Sequence, residues 1–303
     1  MRTAARRAEY IDSIGGIQQI VITKTPELAT LLRELLGCSP GSGRGHLLTD
    51  GGSEMMGTMH SIAGINALNG KLQHSLGWGG RGETAESVAA RLLESLRAVE
   101  RIDGSSIDGW VDGKTNLPLK LRNLTEYVRD EVFRDEVGKT LPDHGFDFRV
   151  VRPSSSSRPA LDLAIAAGSQ HGVKPGVWVN SVETRFMGER GLALQYFSNH
   201  ATELLEALVT VWTPDFGYAG TTQQVLATAP ERFGTPPIAA VTWLSHQFSM
   251  PVSVAGAEVK AFQGGHTIFL GSAAMADSSV EAAVEAYRSL AAHGLSVAAA
   301  TQP

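Results

Sequence analysis

The chain has 303 residues, 43% of them hydrophobic and 19% charged, with 26 basic against 31 acidic side chains and a formal net charge of -5. That composition predicts a globular protein with core enough for one or two domains, and it excludes a surface of clustered Lys and Arg made for nucleic acid. The one cysteine, Cys38, excludes an intramolecular disulfide and a thiolate zinc cluster, and it fits a reducing compartment.

The opening "MRTAARRAEYIDSIGG" carries arginines but no apolar core, so it does not read as a secretory signal. No window holds the roughly 18 apolar residues that mark a membrane-spanning helix, so no membrane partner is expected. Residues 26–36, "PELATLLRELL", predict a helix with Leu28, Leu31, Leu32 and Leu35 on one face, ended by Gly37. The glycine-rich stretch after Cys38 lacks the Gly-Lys-Ser/Thr ending of a phosphate-binding loop and reads as a linker. Residues 1–70 therefore read as an N-terminal extension of helix plus Gly/Ser-rich linker, and residues 71–303 as the main domain.

From Thr84 the pattern sharpens. Thr84 suits a helix cap, and Val88, Leu92, Leu96 and Val99 recur at helical spacing with Arg97 and Arg101 toward the C-terminal end. A second helix is predicted from about Leu121 to Phe133, with Leu121, Leu124, Val128 and Val132 as its stripe. Strand signals follow. Phe146, Phe148 and Val150 alternate in "FDFRVVRP", Leu161, Leu163 and Ile165 in "PALDLAIAAGS", and Val177 and Val179 flank Trp178 in "GVWVNSVETRF". A third helix is predicted from about Asn199 to Val211, lined by Leu204, Leu205, Leu208 and Val211. It breaks at "TPDFGY", where the residue before Pro214 is biased away from helix and Gly217 permits a reversal. In this reading Trp212 and Phe216 pack under the sheet. "AAVTWLS" and "HTIFLGS" predict two buried strands, and "SSVEAAVEAYRSLAAHG" a closing helix with Val280, Val284, Tyr287 and Leu290 inward. Strands and helices do not alternate strictly, so the fold class is α+β: an antiparallel sheet packed against several amphipathic helices.

The residues that carry chemistry form no local constellation. The histidines are scattered, with none at the i, i+4 spacing of a zinc helix. "DHGFD" sets Asp143, His144 and Asp147 close together, but Pro142 and Gly145 mark a turn, where Asp serves geometry. Ser245 and His246 are adjacent, and neighbours on a strand point to opposite faces. There is no Gly-x-Ser-x-Gly elbow. No catalytic residue, metal or cofactor is expected. An enzyme of unrecognised class, a hydrolase using residues near Asp143, His144 or His246, is the alternative, and a scaffolding domain a third. Tryptophans near turns stand out instead: Trp78, Trp110, Trp178, Trp212 and Trp243, each a candidate for core or for interface.

The run "GWGGRGETAESVAARLLESLRAVERIDGSSIDGW" resembles the start of the immunity protein 52 family of bacterial polymorphic toxin systems. The matching residues are an Arg-x-Glu segment (Arg81, Glu83), an Ala-x-Arg-Leu helix (Ala90, Arg91, Leu92), Asp103 and Trp110. "LLEALVTVWTPDFGY" is similar to the family's helix followed by Trp-x-Pro-Asp and an aromatic, "VTWLS" to its Thr-aromatic-Leu-Ser strand, and "GGHTIFLGS" to the turn and strand after it. The likeness spans about residues 75 to 292. Trp243 stands where Tyr is common, and "TPPIAA" lacks the usual Gly-Trp pair. The resemblance implies a cytoplasmic immunity protein that neutralises a cognate toxin by stoichiometric binding, without catalysis. It implies a nuclease of restriction-endonuclease-like fold as the toxin, and Trp110, Trp212, Asp215, Tyr218 and Trp243 as motif or toxin-binding residues. An acidic rim would suit such a partner if the toxin's nucleic-acid face is basic.

Overall fold

A computed structural model describes residues 72–171, 178–228, 235–251, 253–270 and 280–295. All of these fall in one compact unit. The expectations for residues 1–70, the extension with Cys38 and its linker, lie outside the described residues.

Thr84 caps α1 (Ala85–Asp103) as its residue type predicts, its hydroxyl accepting from the Ser87 amide at 3.3 Å. The helix buries Val88, Leu92, Leu96 and Val99, and Gly104 ends it in the left-handed conformation at φ 66. Alternation likewise makes β3 (Phe146–Arg152) and β4 (Ala160–Ala167), which send Phe148, Val150, Leu161, Leu163 and Ile165 into the same core. The remaining strands are β1 (Leu72–Trp78), β2 (Val111–Asp112), β5 (Asn180–Met187), β6 (Phe216–Thr221), β7 (Val241–Ser245), β8 (Ala257–Phe262) and β9 (Gly265–Leu270). They form one nine-stranded sheet in the order β2-β3-β4-β5-β1-β6-β7-β9-β8, antiparallel at every pairing. The helices are α1, α2 (Leu124–Asp130), α3 (Arg190–Trp212), α4 (Thr222–Thr228) and α5 (Val280–Ala292). The fold class is α+β.

The sheet buries its two faces differently. On one, α1, α2 and α3 pack Leu96, Val128, Leu204, Leu205, Leu208 and Trp212 against Leu76, Phe148, Leu163 and Val182. On the other, Phe216, Tyr218, Leu244, Ile268 and Leu270 meet Ala283, Ala286 and Leu290 of α5. Strand β6 serves both cores, because its successive side chains alternate between them. No helix among the described residues is long and apolar enough to cross a membrane.

Several elements depart from the sequence expectations. Strand β1 was not foreseen, yet it pairs with β5 on one side and β6 on the other. Its "LQHS" hides the alternation because His74 and Ser75 are buried polar residues. The reversal expected at Gly217 is instead the middle of β6. A Cβ there would meet Leu205 Cδ1 at 3.2 Å and Leu76 Cγ at 3.4 Å, so glycine admits close packing rather than a turn. Trp212 and Phe216 belong to opposite cores, not to one side of the sheet. Helix α3 begins at Arg190, about nine residues before the expected start, because Ala193, Tyr196 and Phe197 bury against the core and override the weak helix preference of "SNH". Helix α2 stops at Asp130, and Val132 instead makes a bridge with Phe146. Trp178 and Val179 precede β5 rather than lying in it. In α5 the buried face is Ala283, Ala286 and Leu290, with Val280, Val284 and Tyr287 half-buried.

Candidate functional site

The antiparallel register gathers a row of loops on one end of the sheet. Trp78 ends β1 opposite Asn180 at the start of β5, Ala167 ends β4 opposite Phe146, and Phe216 opens β6 opposite Leu244 near the end of β7. The residues between these ends form a rim. Hydrogen bonds run along it: Gln170 N donates to Asp143 O at 2.9 Å, Arg81 N to Ser169 O at 2.8 Å, Asp215 N to Gly77 O at 2.8 Å and Ser245 N to Asp215 O at 3.0 Å. The Asp215 carboxylate accepts from Gly79 N at 2.9 Å. Through its backbone amide and carbonyl and its carboxylate, this one residue therefore joins the ends of β1, β6 and β7. Asp143, His144, Gln170, His171, Thr213 and His246 are exposed along the rim.

Beneath it lies a charged and aromatic junction at the C-terminal end of α3. Helix ends leave carbonyls without amide partners, and cations favour that end. Here Arg91 donates to Val211 O at 3.1 Å and to Trp212 O at 3.0 Å, and Arg81 donates to Trp212 O at 2.8 Å and to Thr213 Oγ1 at 3.0 Å. Glu83, its side chain 5% exposed, sits between the two guanidiniums at 3.5 Å from Arg81 Nε and 3.1 Å from Arg91 Nε. Burial lowers the Arg81 pKa, with Glu83 opposing and Arg91 adding to the shift. Each cation also lies over an indole, Arg81 5.1 Å from Trp78 and Arg91 5.8 Å from Trp212. The two indoles stack at 5.6 Å, and Trp212 Nε1 donates to Ser95 Oγ at 2.9 Å. Thr213 closes the helix with φ 44, a left-handed conformation that a threonine holds only under surrounding constraint.

The tryptophan candidates have core roles. Trp110 is 1% exposed, Trp212 0% and Trp243 3%, so none offers its ring to a partner. Trp110 precedes β2 at the far end of the sheet from the rim. Trp243 donates to Phe262 O at 3.0 Å. Tyr218 is also buried, accepts from Gln73 Nε2 at 3.1 Å and has its pKa pushed up to about 12 by burial. Asp215 is half-buried and acts as the tie described above.

Asp143 and His144 sit in the short turn Pro142–His144, closed by Gly145 at φ 79. The His144 ring stacks on Phe133 at 5.3 Å and approaches His171 at 4.3 Å. His246 holds Gly264 O at 2.8 Å, so its Nδ1 carries the proton. These groups share the rim but not a site. Strands β4, β5, β1 and β6 separate β3 from β7, roughly 24 Å at about 4.8 Å per strand. Asp143 and His144 therefore cannot pass a proton directly to His246. Among the described residues no group of three or more His, Cys, Asp or Glu side chains could hold a metal ion. The rim is not an acidic one either, since Asp143 and Asp215 lie among Arg81 and three imidazoles.

Asp103 organises a second polar cluster, which sequence reasoning missed as a cluster although it singled out the residue. Its carboxylate pairs with Arg152 and accepts from Tyr196 OH at 2.6 Å and Ser105 N at 2.9 Å. Burial works to raise the Asp103 pKa, but the bonds from Ser105 and Tyr196 and the charge of Arg152 outweigh it and hold it low. Beside this cluster opens a cleft of about 430 Å³, lined by Arg158, Gln195, Tyr196, Asn199 and His200.

No protein-family model and no curated protein matches the chain. Among solved structures, a Pseudomonas aeruginosa T6SS protein is similar over 75% of this chain and 76% of its own, at a TM-score of 0.41 and 14% identity.

Proposed function

We propose that this chain is an immunity protein that binds and neutralises a cognate polymorphic toxin, a nuclease of restriction-endonuclease-like fold, in the cytoplasm and without catalysis. One observation carries the reading. Arg81, Glu83, Arg91, Trp212 and Asp215 come from motifs more than a hundred residues apart in sequence, and they meet at one junction under the loop rim. Motifs that co-locate in this way support a shared fold signature rather than chance similarity of short words.

The rim above the junction is the surface proposed to meet the toxin. It runs roughly 24 Å from the β3 end to the β7 end, a span suited to a standard interface of about 800 Å² per partner. The buried Trp78 and Trp212 hold the rim loops in place, and the exposed polar side chains and imidazoles make the contacts.

The test is to co-express the chain with the toxin encoded beside its gene. Protection of the host, and a one-to-one complex by size-exclusion chromatography, are expected. His171→Glu and Asp143→Lys, both at exposed rim positions, should each weaken the complex about tenfold or more while leaving thermal unfolding unchanged. A neighbouring gene that encodes no toxin, together with no protection against nuclease domains of this class, would sink the proposal.

A further inference from the structure

The outer edge of β8 has no strand beside it among the described residues, and its chemistry matches itself. Strands β8 and β9 are joined by Gln263 and Gly264, with φ 46 and 71, the positive pair that a two-residue hairpin turn requires. In such a hairpin the residues flanking the turn, Phe262 and Gly265, exchange hydrogen bonds, and bonding pairs then alternate along the ladder. Phe262, Lys260 and Glu258 therefore direct their backbone groups to β9. Ala261, Val259 and Ala257 direct theirs outward.

Exposed edges are commonly guarded by a lysine, which repels a second copy of itself. Here Lys260 stands two residues from Glu258, on the same face and 3.1 Å from it, with side chains 59% and 64% exposed. In an antiparallel pairing of two copies centred on Val259, Val259 opposes its counterpart. Ala257 then opposes Ala261, so that outward backbone groups meet outward backbone groups. Glu258 falls opposite Lys260 in both directions, at pairs without backbone bonds, where facing side chains come closest. Sliding either copy by two residues sets Glu258 against Glu258 or Lys260 against Lys260. Charge and backbone thus select the same register.

We infer that β8 is a self-pairing edge, through which two copies of this chain join their sheets about a two-fold axis at Val259. The Ala257 amide already donates to Val254 O at 3.2 Å, so the junction uses the amides of Val259 and Ala261 and the carbonyls of Ala257 and Val259. An edge contact of this length buries less than a permanent dimer needs, and the association is therefore concentration-dependent. The inference needs no toxin, and it stands or falls apart from the immunity reading.

The experiment is sedimentation velocity on the full chain over a range of concentrations, without any partner. The native chain should shift from monomer to dimer as concentration rises. Glu258→Lys and Lys260→Glu should each weaken self-association about tenfold. Because each also breaks the Glu258–Lys260 pair, and Lys260→Glu removes the ammonium 4.9 Å from the Phe269 ring, thermal unfolding is followed alongside and should show both variants folded. An equimolar mixture of the two variants should restore the dimer, since each then opposes the other's reversed charge. A native chain that stays monomeric at its highest soluble concentration, a dimer indifferent to either reversal, or a mixture that fails to recover would each overturn the inference.

Discussion

His74 shows how one polar side chain can be held in a core. Its ring is fully buried in β1, with Nδ1 2.7 Å from Thr184 Oγ1 and Nε2 2.8 Å from Ala201 O. A carbonyl can only accept, so Nε2 carries the proton and Nδ1 accepts from the threonine hydroxyl. Burial pushes its pKa down from 6.5 to about 4, against the raising effect of the Ala201 bond. The folded state thus keeps His74 neutral while the unfolded chain takes up a proton below about 6.5. Stability tied to this residue is full above pH 6.5 and is lost as pH falls toward 4, by roughly 3 kcal/mol across that window. Urea unfolding from pH 7 to pH 4.5 should show that loss, and His74→Gln should flatten the slope while lowering stability at pH 7. An equal slope in the variant would assign the pH dependence elsewhere. At Trp212 the expectation is simpler. Trp212→Ala removes a fully buried indole and its bond to Ser95, and should cost about 3–5 kcal/mol by denaturant unfolding.

Among the elements, α1 is the one whose local code is most complete. Its cap, apolar stripe, basic last turn and glycine stop all act where their residue types suggest. Thr84→Ala should cost about 1 kcal/mol in chemical denaturation, and Thr84→Asp should hold most of the native value. Helix α3 is legible only in its second half, from Leu204 to Leu208. Its first half has weak propensity and gains its helix from burying Tyr196 and Phe197. Strand β6 is misleading in isolation, because "DFGY" reads as a turn while Gly217 in fact admits Leu205 and Leu76 to close contact.

At the scale of the molecule, β1 sits in the interior of the sheet between β5 and β6. A fragment of residues 71–303 retains it, whereas one of residues 80–303 deletes it and leaves two neighbours unpaired. The shorter fragment should be insoluble or unfolded by circular dichroism. The longer one should unfold with the midpoint of the full chain if residues 1–70 are the dispensable arm that the sequence suggests. A midpoint several degrees lower would make that segment part of the fold.

What the sequence by itself determined is whatever obeys a local period. The helix after Thr84, the alternation of Phe148 and Val150 and of Leu161, Leu163 and Ile165, the strand "VTWLS" and the α+β class all follow from spacings of 3.6 and 2.0 residues within one segment. The site was legible only as separate words: Arg81 and Glu83, Arg91, then Trp212 and Asp215. Tertiary structure alone decided that these meet, that the tryptophans face inward, and that Asp143 and His144 stand across the sheet from His246. The physical reason is that the pairing of β1 with β5 and β6 and the capping of α3 by distant arginines are non-local. Their free energy comes from partners more than a hundred positions away, and no period within a segment records which partner will arrive.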